Sequence, residues 1–225
     1  MGAEGGGYHM FSIGGRSVAG MGPAFGEDAM PLWGTYINVD DLDAALERAV
    51  AAGGNVLMER IDILRAGSMA TVRDPSGASV SFWQAGDHIG CELANEANTL
   101  GWNELTTRDP EAAKPFYAAV LGWTYETVDM GTGDYILAQV DGRTVAAIMP
   151  MLGDEWGELP SHWMAYIAVD DVDAIMERTT ELGGTVSLPA TDIPPGRFGI
   201  INDPAGAAVS VITFSELEDP NNWDS

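Results

Sequence analysis

Apolar and polar positions alternate from Thr99 to Thr107, a period of two that predicts a β-strand. Asp109-Pro110-Glu111 then supplies an N-cap, a first-turn proline and an acidic first turn, so the spacing predicts a helix ending at Gly122. Three short strands are predicted near Tyr125, over Tyr135 to Val140 and over Arg143 to Met149. The last two are joined by an Asp141-Gly142 turn suited to a type I′ hairpin. The order then repeats. Trp163 to Val169 reads as a strand, Asp170 and Asp173 start a helix closed by Gly183-Gly184, and strands follow near Thr185, Phe198 and Ala207 to Phe214. Each unit is strand, helix, three strands.

The same pattern lies earlier in the chain. Tyr8 to Ala19 matches Tyr135 to Ala146 at an offset of 127, Trp33 to Asp41 matches Trp163 to Asp171 at 130, and Asp74-Pro75-Ser76-Gly77 matches Asp203-Pro204-Ala205-Gly206 at 129. The first copy holds one whole unit, Trp33 to Trp83, and only the tail of another, because nothing before Tyr8 corresponds to Thr99 to Trp123. The expected organisation is an N-terminally incomplete domain over residues 1–85, a polar linker over 86–98, a complete domain over 99–215 and an acidic tail over 216–225. Two explanations of the short first copy stay open. Either the start is set too late, or the short form is native and a rearranged edge or another chain, as in a homodimer, covers the gap.

Trp102-Asn103-Glu104-Leu105-Thr106-Thr107-Arg108-Asp109-Pro110-Glu111-Ala112-Ala113-Lys114-Pro115-Phe116-Tyr117, followed by Leu121-Gly122-Trp123, resembles the vicinal oxygen chelate superfamily of glyoxalases, bleomycin-resistance proteins and extradiol dioxygenases. The paired Asp40-Asp41 and Asp170-Asp171 and the two Asp-Pro-x-Gly turns fit the same family. The resemblance covers nearly the whole chain and is closest to tandem two-domain bacterial members called glyoxalase-like or hydroxylase proteins. It implies an α+β fold in which repeated βαβββ units form curved, cup-like mixed sheets with helices outside and ligand inside. Family enzymes place His, Gln or Glu on the first and last strands of each unit to hold a metal. Carried over, those positions fall on Trp102, near Met164 and Ser210, and near Gly34 and Ser81, none of which is a usual ligand. The expectation is therefore a lost metal site and no cofactor.

Strand alternation then assigns faces. With Leu105 and Thr107 towards the helix, Trp102, Glu104 and Thr106 face the cup, as do Met164, Tyr166 and Ala168 on one later strand and Ala208, Ser210 and Ile212 on another. Trp163 by parity faces its own helix. The expected ligand-binding set is Trp102, Glu104, Thr106, Tyr135, Met164, Tyr166 and Ser210, a mostly apolar lining with one carboxylate. Glu104 is the candidate general base, or the partner of a cationic ligand group, and His162 at the rim is the candidate proton carrier. Arg197, after Pro194-Pro195-Gly196, reads as a solvated arginine or one that reaches over the cup, and Cys91 has no basic neighbour to activate it.

Charge narrows the partners. With 10 Lys+Arg against 34 Asp+Glu the net charge is −24, and Lys114 is the only lysine. No basic surface exists to displace counterions from nucleic acid or to meet an anionic membrane. Neither an apolar run of membrane-spanning length nor signal-peptide features occur in the sequence, so a cytoplasmic location is expected. The function these observations favour is metal-independent binding of an apolar or cationic small molecule. The alternative is a lyase, isomerase or hydroxylase-like enzyme using Glu104 or a non-standard metal site.

Overall fold

The computed structural model describes residues 7–24, 30–130 and 133–215; the acidic tail over 216–225 lies outside them. The elements run β1 (His9–Ile13), β2 (Arg16–Met21), β3 (Tyr36–Asn38), α1 (Leu42–Ala51), β4 (Asn55–Ile63), β5 (Gly67–Arg73), β6 (Ser79–Ala85), β7 (Thr99–Thr107), α2 (Pro110–Leu121), β8 (Thr124–Asp129), β9 (Asp134–Val140), β10 (Arg143–Pro150), β11 (His162–Ala168), α3 (Val172–Glu181), β12 (Thr185–Ile193), β13 (Gly196–Asn202) and β14 (Ala208–Phe214). The fold is α+β, with curved sheets and three α-helices among the described residues.

Local chemistry explains the element ends. Asp41, Asp109 and Asp171 each cap a helix by accepting the backbone N–H three residues on, at 3.0, 2.9 and 3.0 Å. The second unit's helix is thus capped by Asp171, with Asp173 inside its first turn rather than before it. Gly122 ends α2 in the left-handed region at φ 73°, where a Cβ would be strained. Asp141 and Gly142, at φ 51° and 74°, make the tight hairpin between β9 and β10.

The chain divides into two compact units that do not follow the sequence repeat. One gathers Gly34–Ile89 and Asn103–Met164, and the other Met1–Trp33, Gly90–Trp102 and Ala165–Ser225. In the former, the sheet β3-β6-β5-β4 and the run β7-β10-β9-β8 are covered by α1 and α2, which pack on each other. Phe82, Leu42, Leu105, Phe116, Tyr117, Trp123, Ile148 and Trp163 belong to its single core cluster. Trp163 faces α2 rather than α3. Its indole Nε1 donates to the Tyr117 hydroxyl at 2.8 Å, and its ring meets those of Tyr117 and Trp123 edge-on. Tyr117 in turn donates to Asp74 Oδ2 at 2.7 Å.

In the other unit α3 packs on β12, β13 and β14 over a smaller cluster of Val169, Val172, Met176 and Val211. The hairpin β1–β2 forms a two-stranded sheet. The Arg197 guanidinium grips both Asp173 oxygens at 2.7 and 3.0 Å and Asp192 at 2.7 Å.

Candidate functional site

Glu104 sits midway along β7, its neighbour Leu105 turned into the core and fully buried. Glu104 as a whole is only 5% exposed. A buried charge is costly unless hydrogen-bonded, and hydroxyls meet it on both oxygens: Tyr135 from the start of β9 donates to Oε2 at 2.7 Å, and Thr106 donates to Oε1 at 3.2 Å. The parallel pairing of β10 with β7 sets Ala147 beside Glu104 and Met149 beside Thr106, while half-buried Met164 lies on β11 of the same unit. The structure therefore brings Glu104, Thr106 and Tyr135 into one hydrogen-bonded group. Met149, which strand alternation had not singled out, joins their neighbourhood through the register of β10.

Trp102, Tyr166 and Ser210 fall in the other unit. Tyr166 and Ser210 are register partners on β11 and β14, and the Tyr166 ring stands 6.2 Å from that of Phe198. Ser210 is fully buried, and its hydroxyl has no hydrogen-bond partner among the described residues. His162, at the start of β11, has Nδ1 2.8 Å from the Pro160 carbonyl oxygen; because that oxygen can only accept, Nδ1 carries the proton in this contact.

A cavity of about 390 Å³ opens on the other face of β7, where Asn103 rather than Glu104 points. Thr35, Tyr36, Trp123, Val145 and Trp163 line it, and Thr35 Oγ1 donates to Asn103 Oδ1 at 3.0 Å. It carries no carboxylate, imidazole or basic side chain.

The profile of the Glyoxalase/Bleomycin resistance protein/Dioxygenase superfamily matches residues 1–82 and 99–211, and the chain belongs to that superfamily. It is 42% identical over 215 residues to "Putative glyoxylase CFP32" of Mycobacterium bovis, covering 92% of this chain and 80% of that protein. It is 36% identical over 226 residues to "Anthracycline biosynthesis protein DnrV" of Streptomyces peucetius, covering 94% and 81%. Among solved structures, the Mn(II)-bound glyoxalase from Novosphingobium aromaticivorans superposes with a TM-score of 0.54 at 16% identity over 79% of this chain and 61% of that one, a likeness of fold.

That neighbour holds a metal, so the comparisons give no support to the metal independence expected from sequence. The side chains of this protein are the separate test. No group of three or more His, Cys, Asp or Glu gathers among the described residues. The groups seen bonded to Glu104 among the described residues are the Tyr135 and Thr106 hydroxyls, and the register partner of Ser210 is Tyr166. Among the described residues this set lacks the imidazoles and multiple carboxylates that first-row metals favour, and it does not fit such a metal. Further, no helix among the described residues is long and apolar enough to cross a membrane.

Proposed function

We propose that the Glu104 face of β7 binds an apolar or cationic small molecule, with the carboxylate itself rather than a bound ion meeting the ligand. The observation that carries this reading is the carboxylate of a buried residue, Glu104, oriented by the Tyr135 and Thr106 hydroxyls. Such a group is aimed before a ligand arrives, which lowers the ordering cost of binding. Met149 and Met164 add polarizable apolar surface of the kind that accepts aromatic rings. A net charge of −24 attracts cations at low salt and repels anions. The relative named for anthracycline biosynthesis points the same way, towards polycyclic aromatic compounds.

Thermal shift with a panel of aromatic and cationic compounds, an anthracycline included, tests the proposal. A hit raises the melting midpoint in a dose-dependent way by mass action, and Glu104→Gln abolishes that rise. Binding unchanged in Glu104→Gln, or binding that requires one tightly held Zn, Fe, Mn or Ni per chain, would overturn it. Ser210→Ala, Trp102→Ala and Tyr166→Phe, titrated singly, test whether those residues contribute as ligand contacts.

The alternative is an enzyme in which Glu104 is the base and His162 carries the proton. It is favoured by a buried carboxylate that accepts the Tyr135 hydroxyl. In that case Glu104→Gln removes turnover and leaves binding in place. Light scattering of the purified chain checks the homodimer expected from the uneven repeat.

A further inference from the structure

The chain from Met151 to Ser161, between β10 and β11, is a strap tied to the end of β7. Parallel pairing sets Pro150 beside Thr107, the Met151 N–H donates to the Thr107 carbonyl at 2.8 Å, and the Thr107 and Ser161 hydroxyl oxygens lie 3.0 Å apart. Both ends of the strap therefore stand at one residue, which follows Glu104 by three positions. The middle is held as well. Arg108 Nη2 donates to the Gly157 carbonyl at 2.6 Å and to the Leu159 carbonyl at 3.3 Å. In a chain with 34 acidic residues, this guanidinium bonds backbone oxygens and, among the described residues, no carboxylate.

The strap borders the Glu104 face of β7. Met149, just ahead of it, pairs with Thr106, and Arg108 follows Glu104 and Thr106 at the same parity. Leu152 lies against Gly133, two residues before the Tyr135 that donates to Glu104. Leu152 and Leu159 are 57% and 46% exposed, and Gly153 and Gly157, at φ 83° and 50°, flank a short 3-10 turn over Asp154–Trp156. Leucines displayed beside a binding face offer surface that a flat ring can cover, and the glycines let the strap adjust to it.

We propose that the strap is the apolar half of the Glu104 site, that Arg108 is its positioning residue, and that the ligand is a planar cation with several fused rings. Its charge meets Glu104 and its far ring lies beneath Leu152 and Leu159. This rests on Glu104 meeting the ligand, as proposed above, and it adds a length. Glu104 and Arg108 are four residues apart in extended chain, roughly 13 Å, which a single ring does not span.

9-Aminoacridine and 4-aminopyridine share a protonated aminopyridine head and differ in the fused rings, so the pair separates the strap from the carboxylate. With the intact chain, Arg108→Ala is expected to raise the 9-aminoacridine off-rate in stopped-flow fluorescence by about fivefold, the scale of one lost hydrogen bond. The affinity for 4-aminopyridine, read by NMR titration, stays the same. Leu159→Ser, which spares the tie, gives the same split, and Arg108→Lys, which keeps a donor, recovers part of the loss. Bound 9-aminoacridine also slows hydrogen exchange at the Gly157 and Leu159 amides, and Arg108→Ala removes that protection. No binding of 9-aminoacridine overturns the proposal, as does a change of equal size for both probes or for neither. Binding lost in Glu104→Gln but indifferent to Arg108→Ala and Leu159→Ser sinks the strap alone, whereas equal binding to the parent and to Glu104→Gln sinks the carboxylate reading with it.

Discussion

The modules over residues 34–85 and 165–214 share their sequence pattern, their caps and their turns, yet one is built into a large aromatic core and the other into a small aliphatic one. The difference teaches that local sequence specifies a turn or a helix, whereas burial of its polar atoms depends on what packs over it. Asp74 and Asp203 make this plain. The turns share their backbone bonds, and among the described residues only the first aspartate receives a phenol from another element.

The largest effect that would test the contrast comes from the covering helix. Phe116→Ala removes a ring that is 1% exposed and packed beside Gly54, and is expected to cost about 3–5 kcal/mol in urea denaturation. Phe11→Ala, at an exposed position of the β1–β2 hairpin, is expected to cost less than about 0.5 kcal/mol. A smaller gap separates the turns. Tyr117→Phe strands a buried Asp74 oxygen and the Trp163 indole N–H and should cost about 2–3 kcal/mol, against about 1 kcal/mol for Asp203→Ala. Equal losses in this pair would break the comparison.

pH sharpens it further. Burial, together with the neighbouring Asp74 charge, pushes the Tyr117 phenol well above its usual 10.0. The unfolded chain therefore ionises first, so this contribution is intact below pH 10.0 and declines as pH rises beyond it. The alkaline loss of stability should be shallower in Tyr117→Phe, measured by denaturant titration at stepped pH.

The smallest effect concerns a clip that both modules contain. Arg60 binds Asp43 and Asp62, each at 3.0 Å, and Arg197 binds Asp173 and Asp192. The aspartates match at an offset of 130, but the arginine comes from β4 in one module and from β13 in the other, where Ser68 holds the matching place. The Ser68 hydroxyl and Arg60 hold the Asp62 carboxyl below its usual 3.8, and Arg197 does the same for Asp173. Their contribution is present above that value and lost as pH falls through the lowered one. Arg60→Ala and Arg197→Ala should each flatten the acid limb slightly and by similar amounts, since exposed pairs contribute little.

Much of this was legible from residues alone. The helix caps at Asp109 and Gly122, the Asp141-Gly142 hairpin and the extent of β7 follow from short-range rules, in which a side chain and the backbone a few residues away decide the outcome. Alternation also put Glu104 and Thr106 on one face, and the structure adds the Tyr135 hydroxyl that links a second strand to them. Trp163 shows the limit. Parity correctly turned it to the helix side but could not tell that the helix was α2.

The order of strands and helices, the repeat and the acidic charge were thus set by the sequence itself, because each rests on spacing or on counting. Which modules share a core was decided only by tertiary packing. Tyr117 and Asp74 are 43 residues apart and Arg197 and Asp173 are 24 apart, and no periodicity encodes contacts that depend on how whole faces fit together. The exposed Asp203 turn makes the same point: its backbone bonds match those at Asp74, and its neighbours differ.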